Sequence, residues 1–201
     1  MNGYDYTWSF YVGGAIAYLI GSIPFGLILT RFAGLGDIRK IGSGNIGATN
    51  VLRTGNKKLA AAVLILDAAK GVAAVRFGMG FGVDMALIAG AAAVVGHIAP
   101  VWLVFKGGKG VATTIGVLYA IYWPLGLIAC AVWLLAAFVF RYSSLAALVA
   151  LAASPGFALL FGEPRIAMLA GFLAVLVIAK HWENIARLIK GTEAKIKLKR
   201  D

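Results

Sequence analysis

Acidic residues, histidine and cysteine are all scarce in this sequence. Its 201 residues include eight Asp and Glu, two His and one Cys. A single cysteine, Cys130, cannot form an intrachain disulfide, so cysteine usage does not indicate a redox compartment. The acidic residues are scattered, whereas a metal-dependent phosphatidyl transferase would need several closely spaced carboxylates. We therefore expect neither a metal nor another cofactor.

Long polar segments are also lacking. The chain is 61% hydrophobic and 13% charged, against about 45–50% apolar and roughly a quarter charged residues in soluble domains. Apolar runs long enough to span a bilayer cover 8–30, 59–79, 84–105, 111–140, 143–162 and 165–186. Pro124, beside Tyr122 and Trp123, divides the fourth run into 111–122 and 125–140. The pattern predicts an all-α integral membrane protein, one polytopic domain over residues 1–201 with seven transmembrane helices.

Basic residues alternate with these apolar runs. The formal net charge is +11, but the basic residues do not gather on a soluble module, so nucleic acid is not an expected partner. All but three of the 19 Lys and Arg lie in the first, third and fifth loops or near the C-terminus. The positive-inside rule then places the C-terminus in the cytoplasm and the N-terminus outside, on an uncleaved first helix. The basic tail, 195–200, is expected to contact anionic lipid.

The first loop is rich in glycine. Residues 39–55, RKIGSGNIGATNVLRTG, contain G-x-G-x-x-G at Gly42, Gly44 and Gly47, with Asp67 further along. A dinucleotide site needs a strand before such a motif and a βαβ unit around it, whereas this loop joins two transmembrane helices. Glycines still allow a tight turn that directs N–H groups at an anion. The loop adds further donors at Ser43, Asn45, Thr49, Asn50 and Arg53.

A second loop of the same character, FKGGKGVATT, covers 105–114. It is not a Walker A loop, because Gly108-Lys109 is followed by Gly110 rather than by Ser or Thr. Short basic turns that obey the positive-inside rule are the simpler explanation of the two loops. That explanation does not account for the glycines, hydroxyls and amides around the cations. We therefore expect two phosphate-binding elements on the cytoplasmic face, the second formed by Gly107, Gly108 and Lys109.

The segment KHWENIARLIKGTE, 180–193, is predicted to end the last helix. His181 and Asn184 share a helical face, and Glu183 and Arg187 have the spacing of a solvated ion pair. Gly191 is expected to end the helix and to leave Glu193 near the loops. For His181, a substrate role and a locally hydrogen-bonded interfacial histidine both stay open.

Three polar features fall inside the apolar runs. Asp67 and Lys70 are expected to neutralise each other, because ionisable groups in a span are costly. In GHIAP, 96–100, a kinked helix with a hydrogen-bonded His97 is expected, with an active-site wall as the alternative. GSIPFG, 21–26, is predicted to break the first helix.

Five stretches carry a family resemblance. They are GSIPFG (21–26), GSGNIGATNVLRTG (42–55), LDAAKG (66–71), GHIAPVWLVFKGGKGVATT (96–114) and HWENIARLIKGTE (181–193). In this order they resemble the bacterial acyl-phosphate:glycerol-3-phosphate acyltransferase family, the PlsY type. Trp182 and Ala186 stand where relatives often have polar residues. The resemblance implies a seven-helix, multi-pass enzyme of the inner membrane. Such an enzyme moves a fatty acyl group from acyl phosphate to the 1-hydroxyl of glycerol 3-phosphate, giving lysophosphatidic acid and phosphate.

The resemblance also implies site residues and partners. Its phosphate-contacting and pocket positions fall on Ser43, Arg53, Lys109, His181 and Asn184, with Asn45, Asn50, Gly107 and Gly108 as further phosphate-binding candidates and His97 and Glu193 as secondary ones. We expect His181, Asn184 and Lys109 to be catalytic. The expected partners are the two substrates, the bilayer and the soluble enzyme that makes acyl phosphate.

The expected mechanism is direct acyl transfer without a covalent enzyme intermediate. An H-x-x-x-x-D dyad is absent, because the fifth residue after His97 is Trp102 and the fifth after His181 is Ala186. Neither histidine has an evident acid partner in the sequence, so the proton acceptor is either His181 or a substrate phosphate oxygen. A transporter of a phosphorylated metabolite is the alternative, but such folds often bind at the bilayer midplane, whereas these donors gather at one surface.

Overall fold

Helices make up all the regular structure that is described here. The computed structural model describes the backbone of residues 3–196 and the side chains of residues 8–196. The helices are α1 (Gly3–Gly21), α2 (Phe25–Phe32), α3 (Ala48–Leu52), α4 (Lys57–Met79), α5 (Val83–Ile98), α6 (Val111–Ile121), α7 (Trp123–Phe140), α8 (Ser143–Leu160), α9 (Pro164–Lys180) and α10 (Trp182–Ile189). Two short 3₁₀ turns cover Ile38–Lys40 and Val101–Leu103. Most of the expected tail contact with lipid, beyond residue 196, lies outside the described residues.

The chain groups into two compact units. Met1–Ile121 contains α1 to α6, and Tyr122–Asp201 contains α7 to α10. The boundary falls beside Pro124, which occupies the first turn of α7, where its missing N–H leaves no helical bond unmade. The predicted division of the fourth apolar run at Pro124 is confirmed. One polytopic domain over the whole chain stays a prediction.

Several described helices are long and apolar enough to cross a bilayer. Four such segments are Trp8–Phe32, Val83–Leu103, Trp123–Phe140 and Ser143–Leu160. Helices α9 and α10 supply a fifth if they form one span, but they meet at an angle of 63°. The prediction that residues 180–193 end the same helix as the last apolar run, 165–186, is therefore wrong, because that helix ends at Lys180 and α10 starts after His181.

In the first unit, α4 packs against both α5 and α6, and α1 packs against α5. Small residues allow the close approach of α4 and α6. A Cβ added at Gly71 would overlap the Thr113 carbonyl oxygen, and one at Gly116 would overlap that of Ala68. Backbones that meet this closely are typical of helix packing in membranes.

The first apolar run breaks at residues 22–24, as GSIPFG predicts, and side chains from elsewhere bind the carbonyls at the break. Trp102 donates from Nε1 to the Ser22 oxygen at 3.0 Å, and Lys70 donates from Nζ to the Ile23 oxygen at 2.9 Å. An interrupted helix is tolerated in a membrane protein when such partners satisfy its backbone.

The two glycine-rich loops lie at the same end of the first unit. Helices α4 and α5 pack together and are joined by only three residues, 80–82, so they run antiparallel. The start of α4, which follows the first loop, is therefore at the same end as the C-terminus of α5. Leu103 packs against the apolar cluster that includes Ile46 and Val51 of the first loop.

Helix α5 is shorter than its apolar run. The predicted span continues to residue 105, whereas the helix ends at Ile98. Pro100 explains the difference, because its ring disfavours a helical conformation in Ala99, which has φ −134°. His97 therefore lies in the last turn of a terminated helix, and the predicted kink is wrong.

In the second unit, α8 packs between α7 and α9, and α10 contacts both α8 and α9. Helix α10 starts directly after the bend at His181 and ends before Gly191, which has φ +70°. Glycine adopts this left-handed conformation without the strain that a Cβ would cause. The prediction that Gly191 ends the helix is confirmed.

Candidate active site

The buried side chain of Asn50 holds the first glycine-rich loop together through hydrogen bonds to its backbone. The Nδ2 group of Asn50 donates to the carbonyl oxygens of Ile38, Ile41 and Asn45 at 3.0, 2.9 and 2.8 Å. Its Oδ1 accepts from the backbone N–H of Ser43 at 3.0 Å. Because these contacts occupy the amide, the geometry gives Asn50 the role of holding the loop in shape. These hydrogen bonds do not support direct binding of phosphate by Asn50, which stays a prediction.

Arg53 lies against the turn that presents Ser43. Gly42 has φ +56°, and a Cβ added there would approach Arg53 Cδ to 2.8 Å and Nη1 to 3.0 Å. Both Ser43 and Arg53 are exposed. Within the described residues, Arg53 forms no ion pair. A hydroxyl and an uncommitted guanidinium therefore share one exposed turn.

The nearby Arg39 differs from Arg53 because it is already paired. Its Nη2 lies 2.6 Å from Asp37 Oδ2. The hydrogen bond from Arg39 lowers the pKa of Asp37 from 3.8 to about 2. Of these two arginines, Arg53 is the one available to a phosphate.

Asn45 and Gly47 complete the turn before α3. The Asn45 Oδ1 accepts from the Gly47 N–H at 3.3 Å, the pattern of an Asx turn. Asn45 is half-buried, and its carbonyl oxygen is one of the acceptors of the Asn50 amide. The structure thus brings Ser43, Asn45, Asn50 and Arg53 together in one loop.

In the second glycine-rich loop, the glycine N–H groups bind carbonyl oxygens of the protein, whereas the sequence predicts that they bind an anion. The N–H groups of Gly107 and Gly108 donate to the Ile98 and His97 carbonyl oxygens at 3.1 and 3.0 Å. These amides are bonded to the end of α5, so their contacts do not support the prediction that they bind an anion, which stays a prediction. A Cβ at Gly107 would overlap the His97 carbonyl oxygen, and one at Gly108 would overlap His97 Nε2. Glycine is needed there for close approach.

Lys109 is half-buried and lies two residues before the start of α6. Gly110, which follows Lys109, has φ +84° and lies against Val94 and Ile98 of α5. Thr113 and Thr114 are buried in α6, and within the described residues their hydroxyls have no hydrogen-bond partner. They therefore do not extend the exposed part of this loop.

A buried ionic cluster lies next to this loop. Asp67 Oδ1 is 2.8 Å from Lys70 Nζ, which confirms the predicted pair. His97 Nδ1 is 3.6 Å from the same Asp67 oxygen. The expectation that His97 lacks an acid partner is wrong, because the aspartate comes from another helix. The hydrogen bond that we expect for His97 is not found at Nδ1, which has no hydrogen-bond partner within residues 8–196.

In the second unit, His181 occupies the bend between α9 and α10. It is 3% exposed, and its Nδ1 lies 2.7 Å from the Val177 carbonyl oxygen. Because a carbonyl oxygen only accepts, Nδ1 carries the proton in this bond. In the neutral ring the basic lone pair then lies on Nε2.

Glu193 is the centre of a polar cluster that the sequence does not reveal. Its Oε1 accepts from Ser144 Oγ at 2.7 Å and from Asn184 Nδ2 at 2.6 Å. Its Oε2 accepts from Arg187 Nε at 2.7 Å. Burial raises the pKa of Glu193, but the hydrogen bonds from Ser144, Asn184 and Arg187 outweigh burial and hold the pKa below its usual value. The predicted Glu183–Arg187 pair also forms, at 3.9 Å.

Replacing Glu193 with glutamine is expected to destabilise the second unit by about 1–2 kcal/mol, because charge-assisted hydrogen bonds become neutral ones. The lowered pKa means that the carboxylate stabilises the fold above pH 4.5, its ordinary value, and that this stabilisation is lost as the pH falls through the lowered pKa. Thermal unfolding of the purified protein should therefore show a gap between wild type and Glu193→Gln at neutral pH that closes in acid.

Glu183→Gln is the matched control, since Glu183 faces the same arginine across a longer, exposed pair. Its effect should stay below about 1 kcal/mol. Equal losses in the two variants, or a gap that does not depend on pH, would contradict this role for Glu193.

Metal-ligating side chains do not cluster in the part of the chain described here. Within it, no three of His, Cys, Asp and Glu are close enough together to hold a metal ion.

Comparison with known families shows which protein family this chain belongs to. The family model described as glycerol-3-phosphate acyltransferase matches residues 11–191. The chain belongs to this acyltransferase family.

Curated members of the acyltransferase family match along most of their length. A glycerol-3-phosphate acyltransferase of Paramagnetospirillum magneticum is 62% identical over 180 residues, which cover 89% of this chain and 90% of that protein. A second, of Maricaulis maris, is 61% identical over 180 residues, covering 89% of this chain and 83% of that protein.

Solved structures of the acyltransferase family share the fold. Crystal structures of PlsY, an integral membrane glycerol 3-phosphate acyltransferase, match in two forms, and each match covers 94% of this chain and 96% of that chain. The glycerol 3-phosphate form has a TM-score of 0.88 at 39% identity. The lysophosphatidic acid form has a TM-score of 0.87 at 38% identity. The prediction of an all-α integral membrane protein is confirmed.

Proposed function

We propose that this protein transfers a fatty acyl group from acyl phosphate to the 1-hydroxyl of glycerol 3-phosphate, giving lysophosphatidic acid and inorganic phosphate. The observation that carries the proposal is the pair of glycine-rich loops at one end of the first unit. One presents Ser43 and Arg53 on an exposed turn, and the other presents Lys109 just before α6. Both substrates carry a phosphate, so two cationic loops suit this reaction.

The chemical step needs little assistance beyond positioning. The glycerol 1-oxygen attacks the acyl carbonyl carbon, a new C–O ester bond forms, and the C–O bond to phosphate breaks. The phosphate leaves with the bonding electron pair, and the hydroxyl proton passes to His181 or to a phosphate oxygen. Arg53 and Lys109 neutralise phosphate charge and hold the hydroxyl against the carbonyl, which exploits orientation and electrostatic stabilisation.

The candidate residues divide into contacting and shaping roles. We assign phosphate contact to Ser43, Arg53 and Lys109. Asn45 and Asn50 shape the first loop, and Gly107 and Gly108 let the second loop approach α5, as their backbone and side-chain bonds indicate. His181 and Asn184 stay catalytic candidates on the family resemblance, with Glu193 holding the Asn184 amide.

We propose the same membrane arrangement that the charge pattern predicts. Seven spans place the N-terminus outside and the C-terminus in the cytoplasm of a bacterial inner membrane, in one polytopic domain. A reporter that is active only in the cytoplasm should be active when it is fused after the C-terminus. A reporter that is active only outside the cytoplasm should be active when it is fused before residue 8. Termini on the same side would contradict this arrangement. The soluble enzyme that makes acyl phosphate is the expected upstream partner.

Product analysis separates acyl transfer from transport. Purified protein given acyl phosphate and glycerol 3-phosphate should form lysophosphatidic acid and inorganic phosphate in about equal amounts, as the balanced step requires. In sealed vesicles, labelled glycerol 3-phosphate should be converted rather than accumulate unchanged inside. Uptake of intact glycerol 3-phosphate without product would overturn the proposal in favour of a transporter.

A further inference from the structure

The buried cluster of Asp67, Lys70 and His97 has no part in the chemistry described above. We propose that it is a positioning device for Lys109, acting through His97 and the Gly107–Gly108 backbone. The structural part of this proposal stands by itself, whereas its effect on turnover rests on the proposed function.

The cluster contains one more polar group than charge neutralisation requires. Asp67, Lys70 and His97 are 3%, 4% and 5% exposed. Ionisable side chains at such sites are costly unless they are paired. The 2.8 Å pair of Asp67 and Lys70, both on α4, already meets that need. His97 comes from α5 and directs Nδ1 at the same Asp67 oxygen. The cluster therefore ties α5 to α4.

The cluster also reaches the break in the first apolar run. Lys70 donates to the Ile23 carbonyl oxygen at 2.9 Å and lies 5.8 Å from the centre of the Phe25 ring. Tyr18 donates from its hydroxyl to the Ala99 carbonyl oxygen at 2.7 Å, just beyond the end of α5. The last turn of α5 is thus fixed from α4 and from α1.

That last turn of α5 in turn supports the loop that carries Lys109. The His97 ring lies directly under Gly108, where a Cβ would overlap Nε2. The Gly107 and Gly108 N–H groups are bonded to α5, and Gly110 contacts Val94 and Ile98 of α5. The backbone on both sides of Lys109 is therefore seated on α5.

The same geometry argues against a direct catalytic role for His97. One edge of its ring faces Asp67, and its Nε2 lies beside the Gly108 backbone. With the whole residue only 5% exposed, the contacts of the ring are to α4 and to the loop rather than to the exposed surface. His97 is therefore a positioning residue.

Hydrogen exchange tests the structural part without any assay of activity. In wild type, the amides of Gly107 and Gly108 should be protected by their bonds to α5. In His97→Ala, a peptide covering residues 105–112 should exchange about tenfold faster or more, because the loop loses its support. Ser154→Ala, which removes a buried hydroxyl from α8, is the control and should leave this peptide unchanged. Unchanged exchange in His97→Ala would overturn the proposal.

A double-mutant cycle with Lys109→Ala tests whether His97 affects turnover through Lys109. His97→Ala alone should lower kcat/KM about tenfold or more, but by no more than Lys109→Ala does, since misplacing a charged group cannot cost more than removing it. In the Lys109→Ala background the same substitution should cost less than about threefold, because two residues that act through one contact are not additive. His97→Gln, which keeps a polar group near Asp67, should recover part of the loss. Fully additive losses would show that His97 acts independently of Lys109 and would overturn the proposal.

Two outcomes of these experiments need a further measurement: an unfolded His97→Ala variant and an inactive wild-type protein. If His97→Ala cannot be purified folded, the double variant Asp67→Asn/Lys70→Met removes both charges at once. It should fold but show the same faster exchange over residues 105–112, and wild-type exchange in it would overturn the proposal. If the wild-type protein transfers no acyl group, the proposed function fails, while the exchange experiment still decides whether the cluster holds the loop.

Discussion

Replacing Arg53 or Lys109 with alanine is expected to lower kcat/KM for glycerol 3-phosphate about ten- to a hundredfold. Loss of a charge-assisted hydrogen bond costs about 1.5–3 kcal/mol, and about 1.4 kcal/mol corresponds to a factor of ten. Arg53 is exposed and unpaired within the described residues, so its removal breaks no ion pair there. The Arg53 variant should therefore keep wild-type thermal stability, and steady-state kinetics with both substrates varied measures the loss in each variant.

Two other lysines provide matched controls for bulk charge. Lys57 begins α4 directly after the first loop, and Lys190 follows α10; both are exposed. Lys57→Ala and Lys190→Ala remove the same charge and should change kcat/KM less than about threefold, since neither lysine is assigned a phosphate contact and the field of an exposed charge is screened by salt. Similar losses in all four variants would mean that overall charge, rather than a phosphate site, attracts the substrates.

Replacing His181 with alanine is expected to lower kcat about 10²- to 10⁴-fold if this residue accepts the hydroxyl proton, the usual size of a general-base contribution. The bond from Nδ1 to the Val177 carbonyl supports this role, because it leaves the basic lone pair of the neutral ring on Nε2. His181→Asn should then be as inactive as His181→Ala. The pH dependence of kcat should lose its ascending limb in both variants.

A purely orienting His181 makes the opposite prediction. Asparagine would then restore much of the activity, and the shape of the pH profile would be unchanged. The proton would in that case pass to a phosphate oxygen of a substrate.

Features that depend on neighbours in the sequence could be predicted. The break at GSIPFG, the division at Pro124, the Asp67–Lys70 pair and the helix end at Gly191 all follow from local chemistry over a few residues. Proline removes a donor, glycine permits positive φ, and residues three or four apart share a helical face. These rules act within one element, so one sequence is enough to apply them.

Features that depend on packing between distant segments could not be predicted. His97 meets Asp67 thirty positions away, and Glu193 gathers Ser144, Asn184 and Arg187. No spacing rule relates His97 to Asp67 or Ser144 to Glu193, because distant segments of the chain bring these pairs together. For the same reason, the glycines at 107 and 108 suggested anion-binding amides, whereas those amides are bonded to the end of α5.

The donor preference of the purified protein tests the central claim most directly. Acyl phosphate is an activated anhydride whose leaving group needs little acid assistance, and its small phosphate suits a short Gly-Lys-Gly loop. Coenzyme A or a carrier protein would need a larger docking surface than such a loop offers. With glycerol 3-phosphate and a metal chelator present, the protein should form lysophosphatidic acid from acyl phosphate and show little or no turnover with acyl-coenzyme A. A clear preference for the thioester, or a strict need for added metal, would contradict the account.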